Sequence, residues 1–388
     1  MKISTLLGSD RLSQPHFDLP LIVCAYALAF FGVMAVTVTN YDPALGSNRT
    51  IIEIIMDSPN GRLQLMFVGI SLIAVIGMMS INYQFIGRLW PLIYIANVIL
   101  LTFVLGTTSI NGMSGWFSIL DRTVQPSELA KVAIIISLSK ELSRHEQPIP
   151  TFKYFVRICI HVMVPLALII LQPDIGTMLV FVVIFMALLL VSGWPMKYWW
   201  TLVAVGVAVC IGAGYALSVS GNWRWQRLVA FVDPEHDSTG SGFQIINSKI
   251  SVGSGGTNGV GMFSEGTLTH LNFVPENHTD FIFSSIGETM GFAGAMILLA
   301  LYAFLIYRML ILSYHTSDRF GRLVIVGVAS MMIFHVFENI GMNIGVMPIT
   351  GIPLPFVSYG GSNLIANMAG IGLVLNVTKN KPLSRSLE

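Results

Sequence analysis

The sequence predicts an all-α polytopic membrane protein with about ten transmembrane helices and a large extracytoplasmic loop between helices 7 and 8. Of its 388 residues, 54% are hydrophobic and only 11% are charged, and the mean hydropathy is +0.73. A soluble domain carries roughly 25% charged residues, so this chain has more apolar surface than a water-soluble fold can bury. The apolar residues form long runs, and the distribution of Lys and Arg orients these runs.

The predicted spans are apolar runs near the length that crosses a bilayer, which is about 20 helical residues. The fourth run is the least apolar because it carries Glu128 and Lys131. Very little chain, from Gln172 to Gly176, separates the fifth run from the sixth, which predicts a tight helical hairpin. The runs lie at about 19–40, 63–81, 89–107, 126–142, 154–171, 175–193, 198–219, 281–307, 321–346 and 354–377.

Lys and Arg orient the spans because cytoplasmic loops carry an excess of both residues. With both termini cytoplasmic, roughly fourteen of the 21 Lys and Arg residues fall in inner segments and roughly six in outer segments. An even number of spans also places the two termini on the same side. The segment from about 220 to 280 is therefore predicted to be extracytoplasmic.

Composition and motifs argue against several classes of function. The formal net charge is +1 and no Lys/Arg run occurs, so we expect no nucleic-acid partner. No phosphate-binding glycine motif follows a predicted strand, so we expect no nucleotide cofactor. Cys24, Cys159 and Cys210 all lie inside apolar runs, which predicts core residues and no disulfide.

Asp280 is the most informative single residue. The segment Pro275–Phe283 ends a long polar, glycine-rich stretch and runs directly into the eighth apolar run. Asp280 therefore stands where water gives way to lipid. A carboxylate at that depth is costly to keep, and a chain that keeps one usually uses it. We therefore predict that Asp280 is functional.

The outer segment before Asp280 is rich in glycine, above all in Gly240–Lys249 and Gly253–Gly256. A flexible loop is one interpretation of these glycines. Close approach of the backbone to a ligand is the other, because a glycine has no side chain to keep a neighbour away. The sequence leaves both interpretations open.

The segment Gln125–Lys131 opens the fourth predicted span. Pro126 fits the first turn of a helix, where its missing N–H costs nothing. Glu128 and Lys131 are three residues apart, so they share a helix face and can form an ion pair. The pair has two compatible interpretations: a structural ion pair, or the polar wall of a cavity that holds a charged substrate.

Two further polar groups stand next to or within apolar runs. Asp174 is predicted to cap the helix that follows it. One face of the ninth span carries four polar residues, and such a face must look into the helix bundle or into a wet cavity. These residues are His335, Glu338, Asn339 and Asn343.

These segments together resemble the SEDS family (shape, elongation, division and sporulation), the polytopic peptidoglycan glycosyltransferases RodA and FtsW. The 347–355 and 233–235 stretches are more similar to RodA than to FtsW. On this resemblance the whole chain, 1–388, is expected to be a single SEDS transmembrane domain. The matching stretches, in the family's order and spacing, are Gln125–Lys131, Gln172–Gly176, Gly240–Gly256, Pro275–Phe283 and Met347–Ser362.

The resemblance implies an activity, a place and partners. Family members polymerise lipid II, the undecaprenyl-pyrophosphoryl disaccharide-pentapeptide, on the outer face of the bacterial cytoplasmic membrane. A RodA-like member acts during cell elongation. It works with a class B penicillin-binding protein, which has a single span, and with other membrane proteins of the elongation complex. Asp280 matches the family's essential acid, Trp116 its outer-loop tryptophan, and Glu128 with Lys131 its polar pair.

Some positions depart from the family pattern. Gly115 stands where members often carry Arg before the tryptophan, and Gly259-Val260-Gly261 stands where many have Gly-Lys-Gly. Glu338 stands where an apolar residue is common. The two missing basic residues leave open which cations bind the substrate pyrophosphates, and none of these departures touches Asp280.

The family's reaction fits these residues. The GlcNAc 4-hydroxyl of the acceptor attacks the anomeric carbon of the donor MurNAc, and undecaprenyl pyrophosphate leaves. The attack needs a base, which is Asp280, and departure needs positive charge from Lys or Arg or from a divalent cation such as Mg²⁺. The predicted substrate-binding residues are Trp116, Glu128, Lys131, Arg224, Arg227, Lys249, His278 and Glu288.

The main alternative is a lipid II flippase, a transporter that moves the substrate across the membrane. The polar residues within the predicted spans support it. However, transporters often contain inverted repeats with broken helices in matching positions, and the sequence shows no such repeat. A scaffold that only recruits cell-wall enzymes gains nothing from an acid at the lipid edge.

Overall fold

The computed structural model describes residues 16–41, 49–107, 115–119, 122–144, 151–220, 223–237, 240–264, 266–271 and 273–380. This part of the chain is mainly helical. It also contains one small antiparallel hairpin, formed by β1 (Phe117–Ile119) and β2 (Arg122–Val124). The predicted all-α class is confirmed, with this hairpin as an addition that the sequence analysis did not foresee.

The first half of the described chain contains eight helices. These are α1 (Leu19–Thr39), α2 (Ile51–Asp57), α3 (Pro59–Ser80), α4 (Tyr83–Arg88), α5 (Trp90–Val104), α6 (Pro126–Leu142), α7 (Phe152–Leu171) and α8 (Ile175–Val191). The hairpin of β1 and β2 precedes α6 directly.

The second half contains long helices on both sides of the outer segment and shorter helical elements within it. These are α9 (Met196–Ser220), α10 (Trp223–Val232), a 3₁₀ turn (Pro234–His236), α11 (Ser241–Ser254), α12 (Ile282–Tyr314), α13 (Arg319–Asn343) and α14 (Gly361–Asn380).

A helix lies in each of the ten ranges where a span was predicted. Within the described residues, six helices are long and apolar enough to cross a membrane: α1, α3, α7, α9, α12 and α13. Helices α5 and α8 are apolar but shorter, whereas α6 and α14 are more polar and largely buried. The chain is therefore a multi-pass membrane protein, and the number of helices that cross the bilayer stays a prediction.

The tight hairpin between the fifth and sixth predicted spans is confirmed. Helix α7 ends at Leu171 and α8 begins at Ile175. The predicted cap is also present, because Asp174 Oδ1 accepts a hydrogen bond from the backbone N–H of Thr177 at 2.9 Å. Gln172 Nε2 donates to a carbonyl near the end of α5 at 3.1 Å, so the hairpin is fixed against its neighbour.

Helix α12 differs from the predicted span in length and shape. It runs to Tyr314 and bends sharply at Gly291, where φ is +64° and ψ is −165°. This conformation breaks the helical hydrogen-bond ladder and is accessible to glycine. The part before the bend is almost completely buried, so protein surrounds it on all sides.

The segment 255–261 supplies the hydrogen bonds that the bend removes. Backbone N–H groups of Val260 and Gly261 donate to the carbonyls of Glu288 and Thr289, at 2.9 and 3.1 Å. On the other side of the bend, the N–H groups of residues 292 and 293 donate to carbonyls of residues 256 and 257. Broken helices within a membrane require such substitute partners.

The last predicted span begins later than expected, at Gly361 instead of 354. Residues 354–360 form turns, with a φ of +66° at Phe356 and +154° at Gly360. Ser358 Oγ accepts the backbone N–H of Leu354 at 2.8 Å, which favours the turn over a helix. Helix α1 approaches this segment so closely that a Cβ on Gly32 would lie 2.6 Å from a backbone atom.

The outer segment is packed structure, which contradicts its interpretation as a flexible loop. Ser248 Oγ of α11 donates to the carbonyl of Asn343 at 2.8 Å. Gly255 and Gly259 approach the backbone of α12, where added Cβ atoms would lie 1.9 Å from Gly287 O and 2.3 Å from Thr289 O. These two glycines therefore permit close contact between the outer segment and α12.

Candidate functional site

Asp280 lies in a tight turn that leads into α12. The turn begins at Glu276, whose φ of +60° is uncommon for a residue other than glycine. The Glu276 carbonyl accepts hydrogen bonds from the N–H groups of Thr279 and Phe281, each at 3.1 Å. Thr279 Oγ1 donates to Glu276 Oε2 at 3.0 Å. The Asp280 side chain is thereby left half-buried at the start of the helix.

The segment 354–360 fixes the Asp280 turn by donating hydrogen bonds to the backbone carbonyls of that turn. The N–H of Tyr359 donates to the carbonyl of His278 at 2.9 Å. Ser358 Oγ donates to the next carbonyl, that of Thr279, at 2.6 Å. Consecutive peptide groups of the turn are therefore fixed by the chain segment that the sequence analysis had assigned to the start of a span.

The predicted polar face of the ninth span is confirmed as a face that looks into the bundle. Its four residues lie on α13 and are at most 1% exposed: His335, Glu338, Asn339 and Asn343. The two asparagines donate to the backbone carbonyl of Asp280. Glu338 Oε1 accepts a hydrogen bond from Thr350 Oγ1 at 2.8 Å.

The environment of Asp280 raises its pKa to about 7. Burial is the main cause, because a charged carboxylate loses hydration there. The nearby charges of Glu276 and Asp174 raise the pKa further, whereas the guanidinium of Arg227 lowers it. A carboxylate with a pKa near neutrality is far better suited to accept a proton than an exposed one.

Arg227 of α10 is the predicted cation that interacts with Asp280. Burial lowers the pKa of the Arg227 guanidinium, and the Asp280 charge opposes this shift. Helix α10 therefore brings positive charge to the acid from the outer segment. Arg224 lies on the same helix, but its side chain is outside the described residues.

A small polar cavity of about 30 Å³ lies beside the Asp280 turn. Gly351 belongs to its wall and also faces the acid, since a Cβ on Gly351 would lie 3.3 Å from Asp280 Oδ2. A side chain at this position, where φ is +74°, would separate the cavity from the carboxylate. The other polar lining residues are Gln125, Glu128, Lys131, Asp174, Thr177 and His335.

Glu128 and Lys131 form the predicted ion pair inside this cavity wall. Lys131 Nζ lies 2.8 Å from Glu128 Oε1 and 2.9 Å from His335 Nε2. His335 Nδ1 lies 2.7 Å from the carbonyl of Met331. Since Nδ1 donates to that carbonyl, Nε2 is free to accept from the lysine. The structural pair and the cavity wall are thus the same feature, as the sequence analysis allowed.

The structure also locates Trp116 and His278. The carbonyl of Trp116 accepts a hydrogen bond from Thr107 Oγ1 at 3.2 Å, next to β1. The His278 ring packs against the ring of Tyr359 with 5.7 Å between centroids. Burial lowers the pKa of His278, and the Glu276 charge opposes this shift. Substrate contacts for Trp116 and His278 stay predictions.

Lys249 and Glu288 make contacts with other parts of the fold. The exposed Lys249 side chain lies over Gly345, two residues after the end of α13, where a cation complements the helix dipole. The buried Glu288 carboxylate accepts hydrogen bonds from the N–H groups of Leu268 and Thr269, at 2.6 and 2.9 Å. These contacts fix the segment 266–271, and a role for either residue toward substrate stays a prediction.

The sequence analysis missed two acidic neighbours that raise the pKa of Asp280, Asp174 and Glu276. Asp174 was predicted only as a cap, but its Oδ2 also accepts hydrogen bonds from Gln125 Nε2 at 3.1 Å and Ser127 Oγ at 3.2 Å. Glu276 was not singled out, although it lies four residues before Asp280 in a stretch with turn-forming residues. Its effect on the acid depends on the turn, which residue types alone do not specify.

The sequence left open whether protein cations or a divalent metal ion stabilise the leaving pyrophosphate. The side chains of the described residues bear on the metal ion. Within the described residues, no three His, Cys, Asp or Glu side chains are grouped as metal ligands. Mg²⁺ is often bound by one or two carboxylates together with substrate phosphates. A Mg²⁺ ion at Asp280 would therefore take most of its oxygen ligands from the substrate and from water.

Comparison with known proteins identifies close similarity over most of the chain. The family model described as "Cell cycle protein", which represents the FtsW, RodA and SpoVE proteins, matches residues 19–382. The peptidoglycan glycosyltransferase MrdB of Escherichia coli K12 is 38% identical over 303 residues. That alignment covers 76% of this chain and 80% of MrdB.

Solved structures of similar sequence share the fold. One, described as "Structural coordination of polymerization and crosslinking by a peptidoglycan synthase complex", is 28% identical with a TM-score of 0.78. It covers 94% of this chain and 98% of its own. The rod shape determining protein RodA of Thermus thermophilus is 27% identical with a TM-score of 0.68, covering 94% of this chain and 97% of its own.

Proposed function

The chain belongs to the SEDS family of FtsW, RodA and SpoVE proteins and is RodA-like, and on this basis we propose that Asp280 is the base of its glycosyl transfer. The chain is a peptidoglycan glycosyltransferase that polymerises lipid II during cell elongation. The observation that carries the assignment of Asp280 is its setting. It is a half-buried acid with a pKa of about 7, which faces the cavity-lining Gly351 and interacts electrostatically with Arg227.

The proposed reaction needs one carboxylate. Asp280 accepts the proton of the acceptor 4-hydroxyl as its oxygen forms a bond to the anomeric carbon of the donor. The bond from that carbon to the pyrophosphate oxygen breaks, and the electron pair leaves with undecaprenyl pyrophosphate. A glycoside hydrolase needs a second carboxylate to protonate its leaving group, but pyrophosphate leaves as an anion that Arg227 and Lys131 can stabilise.

The chemistry is proposed to take place on the outer face of the cytoplasmic membrane. The excess of Lys and Arg in the opposite segments supports this orientation. Both termini are then cytoplasmic, and α10, α11 and the Asp280 turn are extracytoplasmic. A lipid-anchored substrate can then keep its isoprenoid chain in the bilayer while its sugars reach the acid at the membrane surface.

A transpeptidase partner is proposed as well. Glycan strands need crosslinking, and no segment of this sequence resembles a serine transpeptidase. The solved structure of a peptidoglycan synthase complex, which coordinates polymerization and crosslinking, supports a membrane partner of this kind. We propose that a class B penicillin-binding protein places its single span on the lipid-facing side of α12 and α13, alongside other membrane proteins of the elongation complex.

The decisive experiment compares wild type with Asp280→Asn. Both proteins are purified in detergent and mixed with lipid II in the absence of any other glycosyltransferase, and the products are separated on a gel. Asparagine keeps the shape of the side chain but cannot accept the proton. A positioned base contributes roughly 10²–10⁴-fold, so we expect Asp280→Asn to be folded and inactive.

The matched control is Asp233→Asn, which removes an exposed carboxylate from the same outer segment. We expect it to retain wild-type polymerisation. Glycan made at the wild-type rate by Asp280→Asn would contradict the assignment of the base. A wild-type protein that makes no glycan, but that moves lipid II between leaflets after reconstitution into lipid vesicles, would support the flippase alternative.

A further inference from the structure

Two amides on the polar face of α13 have no part in the proposed proton transfer. Asn339 and Asn343 lie one helical turn apart and are completely buried. Asn339 Nδ2 donates to the carbonyls of Asp280 and Ile352, each at 2.8 Å. Asn343 Nδ2 donates to the carbonyl of Asp280 at 3.0 Å and to that of Asn339 at 2.8 Å. Both side chains therefore converge on one peptide group, that of the acid.

Each amide also connects this peptide group to a second element. Ile352 follows Gly351, so Asn339 joins the backbone of the acid to the cavity wall that faces its carboxylate. Asn343 Oδ1 accepts the N–H of Ser284 at 2.9 Å. That N–H lies in the first turn of α12, which has no side-chain cap of its own. One turn of α13 thus fixes the backbone of Asp280 relative to the cavity wall at Ile352 and to the first turn of α12.

Resting on the proposed role of Asp280 as the base, we propose that Asn339 and Asn343 are positioning residues for it. Ser358 completes the set, because it holds the preceding carbonyl at 2.6 Å. All three act on the backbone and leave the carboxylate oxygens free for the substrate. Since a catalytic group displaced by about 1 Å can cost roughly 10²-fold in rate, their loss acts on turnover.

A purely structural role for these amides makes a different prediction, and α14 offers a matched control. Asn376 is also completely buried. Its Nδ2 donates to the carbonyls of Met78 and Ile81, and its Oδ1 accepts the N–H of Tyr83 at 3.0 Å. Asn376 therefore joins backbone segments in the same manner, but at the end of α14 that is remote from Asp280.

The experiment compares Asn339→Leu, Asn343→Leu and Asn376→Leu with wild type. Leucine keeps much of the volume and removes the donors. Thermal unfolding and the kcat and KM for lipid II polymerisation are measured on the same preparations. We expect all three variants to unfold at a lower temperature than wild type. Only Asn339→Leu and Asn343→Leu should lose kcat, by roughly 10²-fold, with KM close to wild type.

Several outcomes would overturn the inference. It is wrong if folded Asn339→Leu and Asn343→Leu retain the kcat of Asn376→Leu, or if they lose only substrate affinity. If neither folds, Ser358→Ala decides, because it removes a single oxygen from the same set. A lower kcat at constant KM supports positioning, and a wild-type kcat contradicts it. A wild-type protein without polymerase activity would instead remove the proposed function, and with it this inference.

Discussion

Asp280 acquires its chemistry from residues that the fold brings to it. Burial is the largest cause of its raised pKa, and Glu276, in the same turn, adds to it. Glu276 is exposed, so its charge acts on the acid without being enclosed in the site. An exposed neighbour of this kind can be changed without opening a cavity in the protein.

Replacing Glu276 tests this electrostatic link. The rate rises with pH as Asp280 ionises, because only the carboxylate accepts a proton. Glu276→Gln removes a charge that raises the pKa of Asp280, so the acid limb of the kcat/KM profile should move to lower pH. Glu276→Asp retains the charge and is the control. The difference between the two variants should shrink at high salt, which screens exposed charges.

The Glu276 prediction fails under one condition. If wild type and Glu276→Gln show the same acid limb at low ionic strength, then Glu276 does not influence the ionisation of the base. The profiles should be measured with saturating and with limiting lipid II. This separates an effect on the free enzyme from an effect on the enzyme–substrate complex.

Single residues also show what the sequence could reveal about the site. Asp280 was found because an acid next to an apolar run is costly, and this cost is visible in the chain itself. The influence of Asp174 and Arg227 on Asp280 was not visible, because both lie far from it in sequence. Only the packing of α8 and α10 near the turn brings these charges together.

The bend of α12 and the segment 255–261 form one unit at the scale of secondary structure. Each supplies backbone hydrogen bonds that the other lacks, so we expect each to stabilise the other. Gly259 is central to this unit, because its φ is +80° and a Cβ would lie 2.3 Å from the carbonyl oxygen of Thr289. A side chain there would push the segment away from the helix.

Gly259→Ala should therefore destabilise the protein by more than about 1 kcal/mol, because alanine tolerates neither the positive φ nor the contact. The control is Gly253→Ala, which lies in α11 with open space around its Cβ. That change should be stabilising by about 0.5–1 kcal/mol, since alanine favours a helix. Thermal unfolding of both variants in the same detergent measures the difference. Equal unfolding temperatures would contradict the proposed coupling between segment and bend.

Secondary-structure elements could be predicted where nearby residues in the sequence specify them, and not where distant contacts do. The α7–α8 hairpin was predicted because a short polar connection between two apolar runs leaves little choice. The bend at Gly291 was not, because a glycine within an apolar run often remains helical. Here the segment 255–261 makes the bend possible by supplying hydrogen bonds. The sequence of the eighth apolar run does not indicate that this segment will pack against it. The late start of α14 has a similar cause, in the contacts of residues 354–360 with the Asp280 turn.

The orientation of the whole molecule is open to a direct test. In a background with Cys24, Cys159 and Cys210 replaced by serine, single cysteines are placed at Glu235 and at Ser317, both exposed. Intact cells are treated with a maleimide that cannot cross the membrane. We expect labelling at 235 alone, because the excess of Lys and Arg places the 317 side in the cytoplasm.

Permeabilised cells provide the control, since both positions should then react. Labelling of 317 but not of 235 in intact cells would reverse the orientation. It would also place Asp280 on the side of the membrane opposite to the growing cell wall, which the proposed reaction does not allow.

The bend in α12 has a consequence for the order in which the molecule is assembled. Within hydrocarbon, each unpaired backbone N–H or C=O costs several kcal/mol. Without the segment 255–261, a bend at Gly291 would leave the carbonyls of residues 288 and 289 and the N–H groups of residues 292 and 293 without their hydrogen-bond partners. We therefore expect 282–314 to form a straight helix until that segment docks. Because α12 begins at Ile282, two residues after Asp280, we expect the docking of the outer segment to contribute to the final direction of the Asp280 turn.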